Sequence, residues 1–368
     1  MSSAKSNKLG VGIIGAGEVF QVCHGPVLFL LSHLYTIESI YDISQTNTEH
    51  CKTKFSIPHA GKSPQDVIDN PAVDVVFILT SDDSHAPIAI ATLQANKHVF
   101  IEKPVTLSLP SIDAVIAAEK ASAGRAFVGY MRRYAPSYLQ AFKREIATIP
   151  RILYARVRDF SGPNAQFVNQ SGTFQVKGTD FPPEANEERN ARLAALYAEA
   201  YPGQEVTPEK ELMCRFLGSL GSHDLSLMRE TLGVPERVIG VSANNLFYSA
   251  ILAYKNSDGS DYSVTYESGI DSVPVFDAHL SVYGQEKRVT IKYDSPYVKG
   301  LPITVQVEEL NEHGEVQRRE VLSSYEDAYT AELQELHECL RSGKQIKTTL
   351  EDARQDMALY DQMYKVAF

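Results

Sequence analysis

The chain has 368 residues, 43% of them hydrophobic and 22% charged, with 35 basic residues against 46 acidic ones for a net charge of −11. That length exceeds one ordinary core and points to two domains of a globular protein. The acidic balance disfavours nonspecific binding to nucleic acid or to anionic membranes, and leaves open only a local basic site for an anionic ligand. The four cysteines, Cys23, Cys51, Cys214 and Cys339, are scattered, with neither a disulfide framework nor zinc-ligand spacing, so no metal is expected. The first eight residues are a polar tail without an apolar signal region, and the run at 27–31 is too short to span a bilayer. A reducing, cytoplasmic compartment is the expectation.

Leu9 to Ile14 is an apolar run that leads into Gly15-Ala16-Gly17-Glu18-Val19-Phe20. A strand entering a glycine turn before a helix suits a dinucleotide phosphate. Gly15 permits the tight turn, Gly17 lets the backbone approach a pyrophosphate, and the helix N-terminus attracts the anion. Phe20 stands where a third small residue is expected, so the helix must sit off the strand or Phe20 must point elsewhere. Tyr35 to Tyr41 reads as the second strand, with Asp42 at its end. A carboxylate there accepts hydrogen bonds from the adenosine ribose hydroxyls and repels a 2′-phosphate, which favours NAD; Ser44 close by keeps NADP possible.

Residues 74–80 form a continuous apolar run, the pattern of a buried parallel strand, and end in the polar Ser81-Asp82-Asp83-Ser84-His85. A helix over 87–96, a strand over 99–102, a helix over 109–121 and a strand over 126–130 continue the alternation. A doubly wound parallel sheet follows. The strand at 99–102 ends in Lys103-Pro104. Proline fixes its own φ and pushes the residue before it towards extended geometry, so Lys103 leaves the strand in a set direction where open α/β sheets bind ligands.

Beyond a strand at 151–159, residues 160–183 are irregular and rich in Gly, Asn, Gln and Pro. An amphipathic helix over 184–201 carries Leu193, Leu196, Tyr197 and Ala200 on one face. The region 160–213 reads as an insertion, with a surface role, a substrate lid and an oligomer contact all open. Ser219 and His223 stand four residues apart and share a face if the segment is helical, whereas Asp224 points about a quarter turn away. Strands are expected at 238–248, 262–267, 276–283, 288–293 and 303–310, separated by polar turns, and closing helices at 325–341 and 350–366. The meander suggests an antiparallel sheet with one face covered by helices.

Gly15-x-Gly17, Asp42, Thr80 with His85 five residues on, and above all His98-Val99-Phe100-Ile101-Glu102-Lys103-Pro104 resemble the Gfo/Idh/MocA family oxidoreductases. Val128-Gly129-Tyr130-Met131-Arg132-Arg133-Tyr134 is similar to the corresponding segment of inositol 2-dehydrogenase-like members. The resemblance is dense over 9–135. It implies an α/β chain with an N-terminal Rossmann domain for NAD(P) over 1–135, followed over 136–368 by an α+β domain with a large, mainly antiparallel sheet.

The resemblance also implies NAD(P)-dependent hydride transfer to or from a secondary hydroxyl of a cyclic polyol or sugar. A trans-dihydrodiol-type dehydrogenase and a non-catalytic dinucleotide-binding regulator of the same fold are the alternatives. Gly15, Gly17, Glu18, Val19, Asp42, Thr80, His85, Glu102 and Lys103 are the implied cofactor contacts. Lys103 and His223 are the implied catalytic pair, since a lysine partly desolvated beside the nicotinamide has a lowered pKa and can share a proton with a histidine. Arg132, Tyr134 and Ser219 are candidate substrate contacts. Ser219 stands where the family carries an aspartate four residues before the histidine. A homodimer or homotetramer through the C-terminal sheet is the implied assembly.

Overall fold

The structure, a computed structural model, describes residues 7–244 and 246–368. Two compact units emerge, each assembled from separate stretches of chain. The first takes the residues up to Tyr130 together with Thr173–Val206 and Glu332–Arg354. The second takes Met131–Gly172, Thr207–Ala331 and Gln355–Phe368.

The first unit is built on strands β1 (Leu9–Ile14), β2 (Tyr35–Tyr41), β3 (His59–Ala60), β4 (Val75–Ile78), β5 (His98–Glu102) and β6 (Ala126–Gly129). All neighbours are parallel, in the order β3-β2-β1-β4-β5-β6. Every residue of β1, β4 and β6 is buried, as expected of parallel strands covered on both faces. Phe77, Phe100 and Phe127 are register partners on β4, β5 and β6, and their rings stack at centroid distances of 4.5 and 5.8 Å. Strand order reverses between β1 and β4, which is where such sheets open a crevice for ligands.

The polar run after β4 is helical. Asp82–Gln94 is a single helix with Pro87 inside it, so the helix starts five residues ahead of the expected position. Asp82 and Asp83 occupy its first turn, where carboxylates complement the helix dipole. The C-terminal stretch completes this unit. Thr348 O accepts from Val128 N at 2.9 Å, Leu333 O accepts from the Tyr35 hydroxyl at 2.5 Å, and the Arg125 guanidinium donates to the Cys339 and Lys344 carbonyls at 2.8 Å.

Much of the expected insertion also packs here. Helix Ala185–Ala200 brings Arg192 Nε to 2.8 Å and Arg189 Nε to 3.7 Å from the buried carboxylate of Asp83. Glu199, on the same helix, accepts from the Ser108 hydroxyl, the N-cap of helix Leu109–Lys120.

In the second unit β7 (Tyr154–Ser161), β8 (Arg237–Asn244), β9 (Phe247–Lys255), β10 (Asp261–Ile270), β11 (Phe276–Tyr283), β12 (Lys287–Tyr293), β13 (Thr304–Leu310) and β14 (Val316–Val321) form one sheet. Its order is β14-β13-β12-β11-β7-β10-β9-β8, and only the β7/β10 pair is parallel. Burial alternates along β7, β9 and β10, so one face holds Tyr248, Leu252, Val264 and Tyr266 in the core. The other face carries Arg156, Arg158 and Glu267, paired at 2.8 Å, and Asp277, 3.0 Å from Arg158. The single strand expected over 238–248 is in fact a hairpin: Asn244 pairs with Phe247, and Leu246 takes a φ of +65° at its tip. Among the described residues no helix is long and apolar enough to cross a membrane.

Candidate active site

The glycine turn is set by contacts at the end of β4. Gly15 has a φ of +104°, and a Cβ there would lie 2.5 Å from Leu79 O, so only glycine lets the turn lie against that backbone. A Cβ on Gly17 would meet nothing within 4 Å, so this residue faces open space. The chain then enters a π-turn, Phe20–His24, and helix Gly25–Leu30. The first amides of a helix lack intrahelical partners, which makes this face a cradle for an anion.

Phe20 fits by turning inwards. It is fully buried, edge-on to Phe55 at 5.3 Å, and a Cβ on Gly25 would lie 2.6 Å from the same Phe55 ring. The wide π-turn and the glycine that closes it thus take up the space a third small loop residue would have provided. Asp42, just past β2, accepts from Ala16 N at 2.7 Å through one carboxylate oxygen and from Ser44 N at 2.8 Å through the other. Burial raises its pKa, the Ser44 and Ala16 amides oppose that, and Asp180 adds to the rise. Glu18 pairs with Lys177 at 3.3 Å. Gly15, Gly17, Glu18, Val19 and Asp42 therefore lie together at the carboxyl ends of β1 and β2.

The second group gathers at the ends of β4 and β5. The Lys103–Pro104 peptide is cis. Glu102 turns inwards: Oε1 lies 2.7 Å from His24 Nε2, and Oε2 accepts from Lys103 N at 3.1 Å. Burial works against the ionised form of Glu102, yet the His24 hydrogen bond and the charges of His24 and Lys103 hold its carboxyl below the usual range. Both oxygens of the Glu102 carboxylate are thus engaged inside the turn, which they brace from beneath. His24, wholly buried and edge-on to Phe77 and Phe100 at 6.0 and 5.2 Å, was not anticipated from sequence.

His85 is also a buried brace. Its Nδ1 lies 2.7 Å from Pro104 O and its Nε2 3.0 Å from Thr80 O, so the ring ties the end of β4 to the lysine turn. Both partners can only accept, so a neutral ring donates to one of them at a time. The Thr80 hydroxyl accepts from Ser84 at 2.9 Å.

The second unit holds the remaining candidates. Arg132 and Tyr134 lie in the buried 3₁₀ turn Met131–Tyr134. Arg132 is 4% exposed; it donates to Asp224 Oδ1 and, at 2.9 Å, to Asp159 Oδ2, and its guanidinium sits 4.8 Å from the Tyr293 ring centroid. Arg132 is thus held in a buried ion-pair cluster, and Tyr134, 3% exposed, is buried as well. Burial raises the Asp224 carboxyl well above its ordinary value; Arg132 opposes this, and Asp159, within hydrogen-bond reach, reinforces it.

Ser219 is exposed on the π-turn Leu217–Gly221, and His223 is half-buried in the first turn of helix Ser222–Leu232. A Cβ on Gly221 would lie 2.6 Å from the Tyr266 hydroxyl, so the turn rests directly on β10. Asp224 faces the Arg132 cluster while its neighbour His223 stays half-exposed, as a quarter-turn offset requires.

A parallel sheet of this strand order with a glycine turn at its switch point defines a dinucleotide-binding Rossmann domain. The chain belongs to the Gfo/Idh/MocA oxidoreductase family: residues 9–130 match the family's NAD-binding Rossmann fold and residues 204–368 its C-terminal alpha/beta domain. It is 30% identical over 165 residues to myo-inositol 2-dehydrogenase of Thermotoga maritima, covering 44% of this chain and 49% of that one. Over 127 residues it is 32% identical to scyllo-inositol 2-dehydrogenase (NAD(+)) of Bacillus subtilis, covering 34% and 37%. The chain thus spans about half the length, or less, of these curated relatives.

Among solved structures, a levoglucosan dehydrogenase in complex with NADH and levoglucosan matches with a TM-score of 0.74 at 16% identity, covering 98% of this chain and 97% of that one. A 3-ketoreductase from Actinomadura kijaniata in complex with NADP and TDP-benzene matches with a TM-score of 0.72 at 15% identity, covering 98% of each. At these identities the likeness is one of fold.

Proposed function

We propose that the chain is an NAD(P)-dependent dehydrogenase, preferring NAD, that interconverts a secondary hydroxyl and a ketone on a cyclic polyol or sugar. The observation that carries this reading is the gathering of Gly15, Gly17, Asp42, Thr80 and Lys103 at the carboxyl ends of β1, β2, β4 and β5. The open face of Gly17 and the amides beyond it suit a pyrophosphate, and a carboxylate at the end of β2 suits an unphosphorylated ribose. When bound, the nicotinamide ring supplies the acceptor for alcohol oxidation and the donor for ketone reduction.

What remains to the chain is positioning and proton transfer. Lys103 leaves β5 at a turn braced by the Glu102–His24 pair and by His85. A lysine partly withdrawn from water beside a positive ring loses basicity, and so can take the hydroxyl proton at working pH. In this reading His223 is the second proton-handling residue, and the exposed Ser219 offers a hydroxyl for substrate. The names of the relatives, inositol dehydrogenases among them, support a cyclic polyol or sugar. Assembly through the open face of the eight-stranded sheet belongs to the same proposal.

The test is absorbance of NADH or NADPH on incubation of the protein with either oxidised cofactor and a panel of inositols, aldoses and trans-dihydrodiols. Lys103→Ala is expected to keep cofactor affinity and to lose roughly 10²–10⁴-fold in turnover. Cofactor binding without turnover of any panel member, in either direction, refutes the enzyme and favours a dinucleotide-binding regulator.

A further inference from the structure

Residues 173–180, within the expected insertion, run as an irregular strap of the first unit over the glycine loop and the start of helix Gln45–Lys54. The Gln21 amide holds the strap from both sides: its Oε1 accepts from Val176 N and its Nε2 donates to Val176 O, each at 2.8 Å. That same Nε2 donates to Ala16 O in the glycine loop at 2.8 Å. Gly178 N donates to Asn47 Oδ1 at 2.8 Å, and a Cβ on Gly178 would lie 2.0 Å from Ser44 Oγ. The strap is therefore fitted closely to this surface at Gly178, where an added Cβ would have to push the Ser44 hydroxyl or the strap aside.

Asp180 ends the contact. Its Oδ1 accepts from the Ser44 hydroxyl at 2.5 Å and its Oδ2 from Thr46 N at 2.9 Å. Ser44 is the N-cap of helix Gln45–Lys54, so the chain has seated one of its own carboxylates at a helix N-terminus, where anions are favoured. The Ser44 hydroxyl, then the Thr46 amide, draws the Asp180 carboxyl down to about 2, so it is charged at any working pH. These donors lie two and four residues past Asp42, the residue that would meet the adenosine ribose. A phosphate on the ribose 2′-oxygen would need them.

We infer that Asp180 is a resident anion on the 2′-phosphate position and is a determinant of selectivity for NAD over NADP; this rests on the cofactor reading above. Asp42 alone disfavours the phosphate by repulsion. Asp180 adds a second charge and also removes the donors that would have compensated, which is selectivity built against the wrong partner.

Calorimetric titration of the full chain with NAD and with NADP tests this without reference to turnover. Wild type is expected to bind NAD more tightly. Asp180→Ala should narrow the ratio of affinities by about tenfold or more, through tighter NADP binding, with NAD held within about threefold. Asp180→Asn, which keeps the shape and drops the charge, should move the ratio the same way. Gly178→Ala, which displaces the strap and keeps Asp180, should do so too. An unchanged ratio in the Asp180 variants, at wild-type melting temperature and with NAD still bound, overturns the inference and leaves the cofactor reading standing. So does an equal loss of both dinucleotides, which would make the strap an unselective clamp, or a wild type that binds both alike. If wild type binds neither dinucleotide, the cofactor reading falls and the inference with it.

Discussion

Asp224→Asn should leave the protein nearly as stable as wild type near neutral pH, whereas Asp224→Ala and Arg132→Met should each cost about 3–5 kcal/mol. The difference follows from the cluster around Arg132, where the guanidinium is 4% exposed, Asp159 0% and Asp224 1%. Two ionised carboxylates against one cation would leave a buried negative charge, and burial raises the Asp224 carboxyl well above its ordinary value, which favours its protonated form. Asparagine supplies an uncharged N–H donor and a carbonyl oxygen for Arg132. Alanine supplies neither, and methionine at 132 strands two buried acids.

The proton also gives the sign of the pH dependence. A carboxyl whose folded pKa lies above its unfolded value of about 3.9 binds a proton in the folded state that the unfolded chain has released. Its contribution to stability therefore falls as pH rises from about 4 towards the folded pKa, so Asp224→Asn should gain on wild type over that interval. Thermal unfolding followed by circular dichroism across this range measures both effects, and a loss of 3–5 kcal/mol lowers the second unit's transition by about 10 °C or more. The reasoning is refuted if Asp224→Asn falls as far as Asp224→Ala, or if it tracks wild type at a constant offset through the whole pH range.

The Glu102–His24 pair should show the opposite pH behaviour. Glu102→Ala strands a buried histidine and should cost about 2–4 kcal/mol, against about 1 for Glu102→Gln, read as urea midpoints of the first unit's transition. Because the Glu102 carboxyl is held low in the fold, its contribution is complete above about pH 4.3 and is lost as pH falls through the folded value, so the wild type should converge on Glu102→Gln in acid. The two loop glycines should separate stability from binding. Gly15→Ala, with its Cβ 2.5 Å from Leu79 O, should lower the melting temperature, whereas Gly17→Val should keep it and weaken NAD binding in a calorimetric titration.

Sequence is most informative where burial is continuous or the turn is chemically marked. The runs that became β4 and β5 are apolar because a parallel sheet covers them on both faces, and β11 lies at the expected 276–283. The β8–β9 hairpin was hidden because Leu246, at a φ of +65°, turns the chain without a glycine signal there. β14 was invisible for another reason: at the sheet edge Gln317, Arg318, Arg319 and Glu320 meet little core, so no apolar period marks it. Pro87 drew the expected helix start to itself, although the helix begins at Asp82.

The side-chain pairs that brace the site were beyond reach for want of any local sign. His24 and Glu102 lie 78 residues apart, Arg132 and Asp224 92, and Ser44 and Asp180 136. Arg132 looked like a ligand contact because it follows a strand at a carboxyl end. Its burial against two acids was not foreseen, because burial of one polar residue leaves no trace in a single sequence.

The partition of the chain bears on how it is made. β6 receives its Thr348 contact, Tyr35 its Leu333 carbonyl and Arg125 its two carbonyl partners only from residues 332–354. A ribosome delivers those residues only after the second unit's sheet has already emerged. The nucleotide-binding unit therefore cannot be completed until the second unit's sheet has been made, although its first strand is born before any strand of that sheet. Excising residues 1–130 as a portable module would leave that module without the pieces that finish it.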